Sequence, residues 1–120
     1  MFDHKILIVE DENIVATDLK QRLERMGHEI VGIVGDGKGA IQTTLETEPD
    51  IIIMDITLKG DIDGIETTQK IHNIYDIPVI YISGSSDQKT IERAEKTEPK
   101  SYIIKPFADK IIQNAIEMAV

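Results

Sequence analysis

Residues 51–55 read Ile51-Ile52-Ile53-Met54-Asp55. Four consecutive apolar side chains leave no in-and-out alternation, so a strand here is covered on both faces, as in the interior of a parallel sheet. Similar β-branched runs occur at Ile6 to Val9, Ile30 to Val34, Val79 to Ile82 and Tyr102 to Ile104, and four of the five are continuous in this way. Helical spacing fills the intervals. Val15, Leu19, Leu23 and Met26 recur along one face, and Gly27 supplies a stop. Ile112, Ala115, Ile116 and Ala119 repeat the pattern in the last helix. Pro49, Pro78 and Pro99 each stand just ahead of a strand, where a helix has to end. Five strand–helix pairs in strict alternation predict an α/β fold, a (βα)5 doubly wound parallel five-stranded sheet with helices on both faces.

The chain has 120 residues, room for one domain over 1–120, and no linker, repeat or low-complexity stretch interrupts it. Hydrophobic residues make up 41% and charged residues 29%, an ordinary globular balance that argues against disorder. Lys and Arg number 13 against 22 Asp and Glu, a net charge of -9. Such a surface repels phosphate backbones and anionic lipid, which argues against direct nucleic-acid or membrane partners. The absence of Cys excludes disulfides, thiolate nucleophiles and Cys-ligated zinc. His4, His28 and His72 are far apart in sequence with no metal-type pairing, which argues against a His-based site. The longest apolar runs are too short for a membrane span or signal-peptide core, so the expected setting is cytoplasmic.

In open parallel sheets, sites form beyond the carboxyl ends of the strands. There the sequence places Glu10-Asp11-Glu12 after the first strand, Asp55 at the end of the third, Ser83-Gly84-Ser85-Ser86 after the fourth and Lys105-Pro106 after the fifth. Each has a plain structural reading: Asp11 as cap of the first helix, Ser83 or Ser86 as cap of the fourth, Asp55 as a turn opener, Lys105 as a solvated strand end. Together, at one rim, they read differently. Carboxylates on neighbouring strands stand about 5 Å apart and repel by roughly 3 kcal/mol at an effective dielectric near 20. Glu10, Asp11 and Asp55 in one cleft therefore imply a cation, and oxygen-only ligands suit Mg²⁺. One such ion and the Lys105 ammonium balance three carboxylates. A metal, a lysine, a hydroxyl and a carboxylate nucleophile describe a phosphoryl-transfer site centred on Asp55.

The set ILIVEDE (6–12), IIIMDITL (51–58), IDGIE (62–66), IPVIYISG (77–84) and YIIKPF (102–107) resembles the receiver domain of two-component response regulators along the whole chain. The resemblance implies a flavodoxin-like strand order, 2-1-3-4-5. It implies a phosphorylation-activated signalling switch, not an enzyme, with Asp55 accepting phosphate from a histidine kinase or histidine phosphotransfer protein. Asp11 would ligate Mg²⁺ (or Mn²⁺ as a substitute) directly, Glu10 would assist through water, and the Thr57 carbonyl would complete the protein ligands. Ser83 and Lys105 would each hold a phosphoryl oxygen, Tyr102 would change rotamer with Ser83, and the Lys105–Pro106 peptide would be cis. The face of helix 4, strand 5 and helix 5 would then control a downstream protein or output domain. Helix 4, with Ile91 and Ala94 as its apolar anchors between Asp87 and Lys96, is expected to be weakly held.

Some positions depart from the common pattern. Lys59 stands where many receivers have proline, and the Asp63-Gly64 pair arrives one residue late. Glu10 replaces the more usual Asp, and Gly84 is smaller than the alanine often found there, which widens access to the site. Thr57 and Ser85 occupy the two positions that vary with dephosphorylation in the family. The apolar end of helix 5 favours a receiver belonging to a larger regulator over a free-standing one. Ile111 and Met118 lie off its inward stripe, where a homodimer could form. A nucleotide-binding loop at Gly32 to Gly39 is a rival reading, but Gly39 lacks the hydroxyl that reaches Mg²⁺ and Ile33-Val34 prolong the strand. A dehalogenase-type hydrolase would need an Asp at position 57, where Thr stands. A receiver-like binding module that is never phosphorylated is the third alternative; it would be expected to lack one of Asp11, Asp55 or Lys105.

Overall fold

The structure, a computed structural model, describes residues 4–120. Five strands and five helices alternate: β1 (Lys5–Val9), α1 (Asn13–Arg25), β2 (Glu29–Val34), α2 (Gly37–Thr47), β3 (Ile51–Asp55), α3 (Gly64–His72), β4 (Val79–Ser83), α4 (Gln88–Glu95), β5 (Ser101–Ile104) and α5 (Asp109–Ala119). All pairings are parallel, in the order β2-β1-β3-β4-β5, which is the expected flavodoxin-like arrangement. Each strand runs one residue beyond its apolar run, at one end or the other, because the backbone ladder does not stop where hydrophobicity does. Asp55 and Ser83 are thereby the last residues of β3 and β4.

Alternate side chains of each strand point to opposite faces, and this builds two cores. On one face Ile6, Ile8, Ile51, Ile53, Ile80 and Ile82 pack against α1 and α5; on the other Leu7, Val9, Ile52, Met54, Val79 and Tyr81 meet α2, α3 and α4. The buried stripe of α1 is Ala16, Leu19 and Leu23, with Val15 and Met26 half-buried at its margins. The stripe of α5 is Ile112, Ala115 and Ile116. No helix among the described residues is long and apolar enough to cross a membrane.

Three local features set the rim. The loop after β3 absorbs its extra residue by turning at Gly60, whose φ of 100° favours glycine, while Lys59 forms an isolated bridge with Asp36. Asp63 then closes a capping box with Glu66 and starts α3. Gly64 follows at a close approach: a Cβ there would lie 2.1 Å from the Asp55 carbonyl oxygen. The glycine-rich segment 32–39 instead spans the end of edge strand β2 and the start of α2, where Asp36 caps the helix by accepting the Gly39 N–H at 2.7 Å.

Helix α4 buries Ala94 fully, with Ile91 half-buried. Polar ties supplement this: Arg93 Nη2 donates to Asp63 Oδ2 at 3.0 Å, and the Thr97 and Tyr81 hydroxyls share a 2.7 Å hydrogen bond just past the helix. Amide exchange in α4 is expected to be faster than in α1 and α5, because so little apolar area resists its opening; equal protection in a time-course read by mass spectrometry would contradict this. Gly64→Ala should destabilise the fold by about 1–3 kcal/mol, the usual cost of overpacking against backbone, measured by urea denaturation; an unchanged midpoint would show that α3 can shift at no cost.

Candidate functional site

The site lies at the carboxyl ends of β1, β3, β4 and β5, and strand register explains its assembly. Val9 pairs with Met54, so Glu10 and Asp55 follow side by side; Asp55 pairs with Ile82 and Ser83 with Ile104, so Ser83 and Lys105 come next on their own strands. The crossover between β1 and β3 is also where the strand order reverses, the usual position for a site in this topology.

Carboxylate oxygens of Glu10, Asp11 and Asp55 lie within 4.8 Å of one another. Glu10 and Asp55 are buried, and Asp11 is half-buried. Lys105 Nζ stands 2.8 Å from Glu10 Oε1 and 3.4 Å from Asp55 Oδ2, so one ammonium bridges two carboxylates. The remaining oxygens are partly occupied: the Glu12 N–H donates to Glu10 Oε2 at 3.1 Å, and the Thr57 N–H to Asp55 Oδ1 at 3.2 Å. Asp55 thus does also shape its turn. Asp11 is not the cap of α1, since Glu12 holds that position and makes no side-chain cap bond. Neither Ser83 nor Ser86 caps α4, whose cap is Asp87.

The ionisation of these groups follows from the asymmetry of the lysine. Burial pushes the Asp55 carboxyl up, and the neighbouring Glu10 adds to it, to a pKa of about 7. Glu10 also suffers burial, but the closer Lys105 ammonium and the Glu12 amide more than offset it and hold its pKa below the ordinary value. Burial would likewise lower Lys105; the two carboxylates outweigh it and raise its pKa. Three carboxylates beside one ammonium, which reaches two of them, leave an excess of negative charge, and an all-oxygen donor set of this size fits a hard divalent cation such as Mg²⁺.

The second half of the rim links Ser83 to Tyr102. The buried Ser83 Oγ accepts the Ser85 N–H at 3.0 Å, and the Tyr102 hydroxyl donates to the Ser85 carbonyl at 3.0 Å. The Lys105–Pro106 peptide is cis. A side chain at Gly84 would meet no heavy atom within 4 Å, so space beside the rim is open there. Thr57 is exposed at the rim.

Two features escaped the sequence reading. Ser85 joins Ser83 to Tyr102 through its backbone, which no side-chain pattern reveals. His4 and His28, distant in sequence, stack with ring centroids 5.6 Å apart, because both precede adjacent strands β1 and β2. That pair is outside the acidic cluster, the one group of three possible metal-ligating residues among the described residues.

The model of one protein family, the response regulator receiver domain, matches residues 6–117. Among curated proteins, the transcriptional regulatory protein PdtaR of Mycobacterium tuberculosis is 34% identical over 116 residues, covering 97% of this chain and 56% of the relative. The phyllosphere-induced regulator PhyR of Methylorubrum extorquens is 29% identical over 117 residues, covering 97% of this chain and 43% of the relative. The chain therefore spans about half the length of the curated relatives it matches. Among solved structures, the signal receiver domain of a modulated diguanylate cyclase from Desulfovibrio desulfuricans G20 superposes with a TM-score of 0.92 at 35% identity, covering 98% of this chain and 94% of that one.

The ionisation pattern has a consequence for stability without metal. The unfolded chain releases the Asp55 proton near 3.8, whereas the folded chain keeps it to about 7. Between those values the folded state binds more protons, so stability falls as pH rises, and the full penalty applies above the window. Asp55→Asn is expected to be more stable than the wild type at pH 8 in chelator by a few kcal/mol, and about equal to it near pH 3.5. Urea denaturation at the two pH values checks this, and an equal difference at both would remove Asp55 as the source.

Proposed function

The chain belongs to the response regulator receiver domain family, and on that footing we propose that residues 1–120 form one receiver in which Asp55 accepts a phosphoryl group from a histidine kinase or a histidine phosphotransfer protein. Members of this family are signalling switches rather than catalysts, and they interact with histidine kinases and output partners. The observation that carries the reading is the Asp55 carboxylate, buried at a strand end beside two other carboxylates, with its share of the Lys105 ammonium at 3.4 Å.

Glu10, Asp11, Asp55 and the Thr57 carbonyl would hold Mg²⁺, or Mn²⁺ in its place, which when bound keeps Asp55 ionised and meets the charge of phosphoryl oxygens. An Asp55 carboxylate oxygen forms the new bond to phosphorus while the bond from phosphorus to the donor histidine nitrogen breaks, and that nitrogen leaves with the bonding electrons. Lys105 would hold one phosphoryl oxygen. The Ser83 hydroxyl, which accepts from Ser85, still has its own proton to donate to another. The product exchanges one negative charge for about two, so both interactions strengthen after transfer.

That difference biases a conformational equilibrium. A shift of Ser83 toward the phosphoryl group pulls on the Ser85 segment, and the Tyr102 hydroxyl, bonded to the Ser85 carbonyl, loses or changes its partner. The Ser85 segment leads directly into α4, whose Asp87 cap follows two residues later. The altered face is that of α4, β5 and α5, where Ile104, Ile111 and Met118 are exposed. A downstream protein, an attached output domain or a second copy of the chain would read it. A chain of this acidity, -9 net, suits protein partners in the cytoplasm better than nucleic acid or membrane.

Incubation with acetyl phosphate and Mg²⁺ should add one phosphoryl group, seen by intact mass and localised to Asp55 by peptide mapping. Asp55→Asn should abolish the gain, and Lys105→Ala should reduce its rate about 100-fold, the scale for removing one electrostatic stabiliser. No gain on the wild type would leave a binding module that is never phosphorylated.

A further inference from the structure

Arg22 has no part in the receiver motifs, yet its guanidinium joins two elements that are far apart in sequence. It projects from α1, mostly covered, toward the turn that joins β5 to α5. Its Nε donates to Asp109 Oδ1, its Nη2 donates to the Phe107 carbonyl at 2.7 Å, and its guanidinium carbon lies 4.7 Å from the centre of the Phe107 ring. Asp18, one turn earlier on α1, stands 3.6 Å from Nη1. The ion pairs with exposed aspartates contribute little by themselves. The planar fork matters more, because it fixes a backbone carbonyl, a ring and the first residue of α5 in one geometry.

Beyond the packing of Phe107 on the core, the turn has little other polar support. Its upstream end is tied by the Lys105 N–H to the Ser83 carbonyl at 2.8 Å. Downstream, the cap of α5 is Ala108, which offers no side-chain hydrogen bond. Between these points Lys105 borders a groove of about 360 Å³ lined by Val15, Leu19 and Arg22 from α1 and by Pro106 and Phe107 from the turn. Phe107 packs against the α1–α5 core on one side and lies under the Arg22 guanidinium on the other. Lys105 stands two residues before Phe107 and borders the same groove, so a turn that swings out carries the lysine with it and its ammonium is no longer confined over Asp55.

We propose that Arg22 is a positioning residue for phosphoryl transfer, clamping the turn at Phe107 and Asp109 to α1 so that Lys105 is held in place against Glu10 and Asp55. The assignment rests on the reading of Asp55 as phosphoacceptor. Its effect is selective, since the residues that would hold the metal come from the ends of β1 and β3 and not from this turn.

The test compares Arg22→Ala, Arg22→Lys and Ile116→Val, the last trimming the same α1–α5 core without touching the turn. Three quantities are measured: the rate of Asp55 phosphorylation by acetyl phosphate with Mg²⁺ in excess, the Mg²⁺ affinity by calorimetry, and the melting temperature. Arg22→Ala should slow phosphorylation about tenfold, the order expected for a misplaced stabilising group, with Mg²⁺ affinity held within about twofold. Arg22→Lys, which keeps a charge near Asp109 but loses the fork, should fall between, and it serves alone if the alanine variant does not fold. Ile116→Val should phosphorylate at the wild-type rate despite a lower melting temperature. A wild-type rate in both Arg22 variants overturns the assignment, as does a slowing matched by Ile116→Val or accompanied by an equal loss of Mg²⁺ affinity. A wild-type protein that takes no phosphate overturns the acceptor reading itself, and this one with it.

Discussion

One ammonium shared unequally between two buried carboxylates governs the rim of this sheet. Lys105 stands 2.8 Å from Glu10 and 3.4 Å from Asp55. The closer partner is held ionised, and the farther one is left to bear the cost of burial and of its neighbour's charge. Asp55 is therefore the carboxylate with most to gain from added positive charge or from losing its own charge to a covalent bond. A symmetric arrangement would neutralise both acids equally and leave no group poised in this way.

The surroundings of the pair fall into a stiff part and a soft part. The stiff part is the central sheet, whose β1, β3 and β4 side chains are, Lys5 apart, buried on both faces, with α3 starting so close to the Asp55 carbonyl that only glycine fits. It fixes the acids and Ser83 against one another. The soft part is the segment from Ser85 through α4, which buries one side chain fully and is otherwise tied by polar contacts that water can replace. In the proposed switch, a charge change on the stiff side is felt through the Ser83, Ser85 and Tyr102 hydrogen bonds by the side that can yield. The contrast between the two is a matter of apolar burial, since hydrogen bonds at an exposed surface contribute little net free energy.

Lys105 belongs to neither part. It directly follows the short edge strand β5, and its direction depends on what holds the turn that it opens. The contacts of Arg22 with Phe107 and Asp109 bring α1 into that role, so a helix whose inner face is core packing presents, at its margin, a clamp on the site.

The order of residues makes the layered α/β architecture legible, because short β-branched runs such as Ile51 to Met54, bounded by turn signals, suit a strand covered on both sides, and stripes such as Leu19 and Leu23 suit a helix packed on it. It also placed Glu10, Asp11, Asp55, Ser83 and Lys105 at strand ends, since polar residues directly after such runs have nowhere else to be. What those residues do to one another follows only from how the folded segments meet. The register that sets Glu10 beside Asp55, the unequal distances to Lys105, the backbone link through Ser85, the stacking of His4 on His28 and the reach of Arg22 to a turn 85 residues away all depend on how separate segments align in space. Local pattern carries no information about such alignment, because hydrophobic periodicity says which face a residue takes, whereas hydrogen bonds and ion pairs depend on ångström-scale distances between chain segments that meet only once the cores have closed.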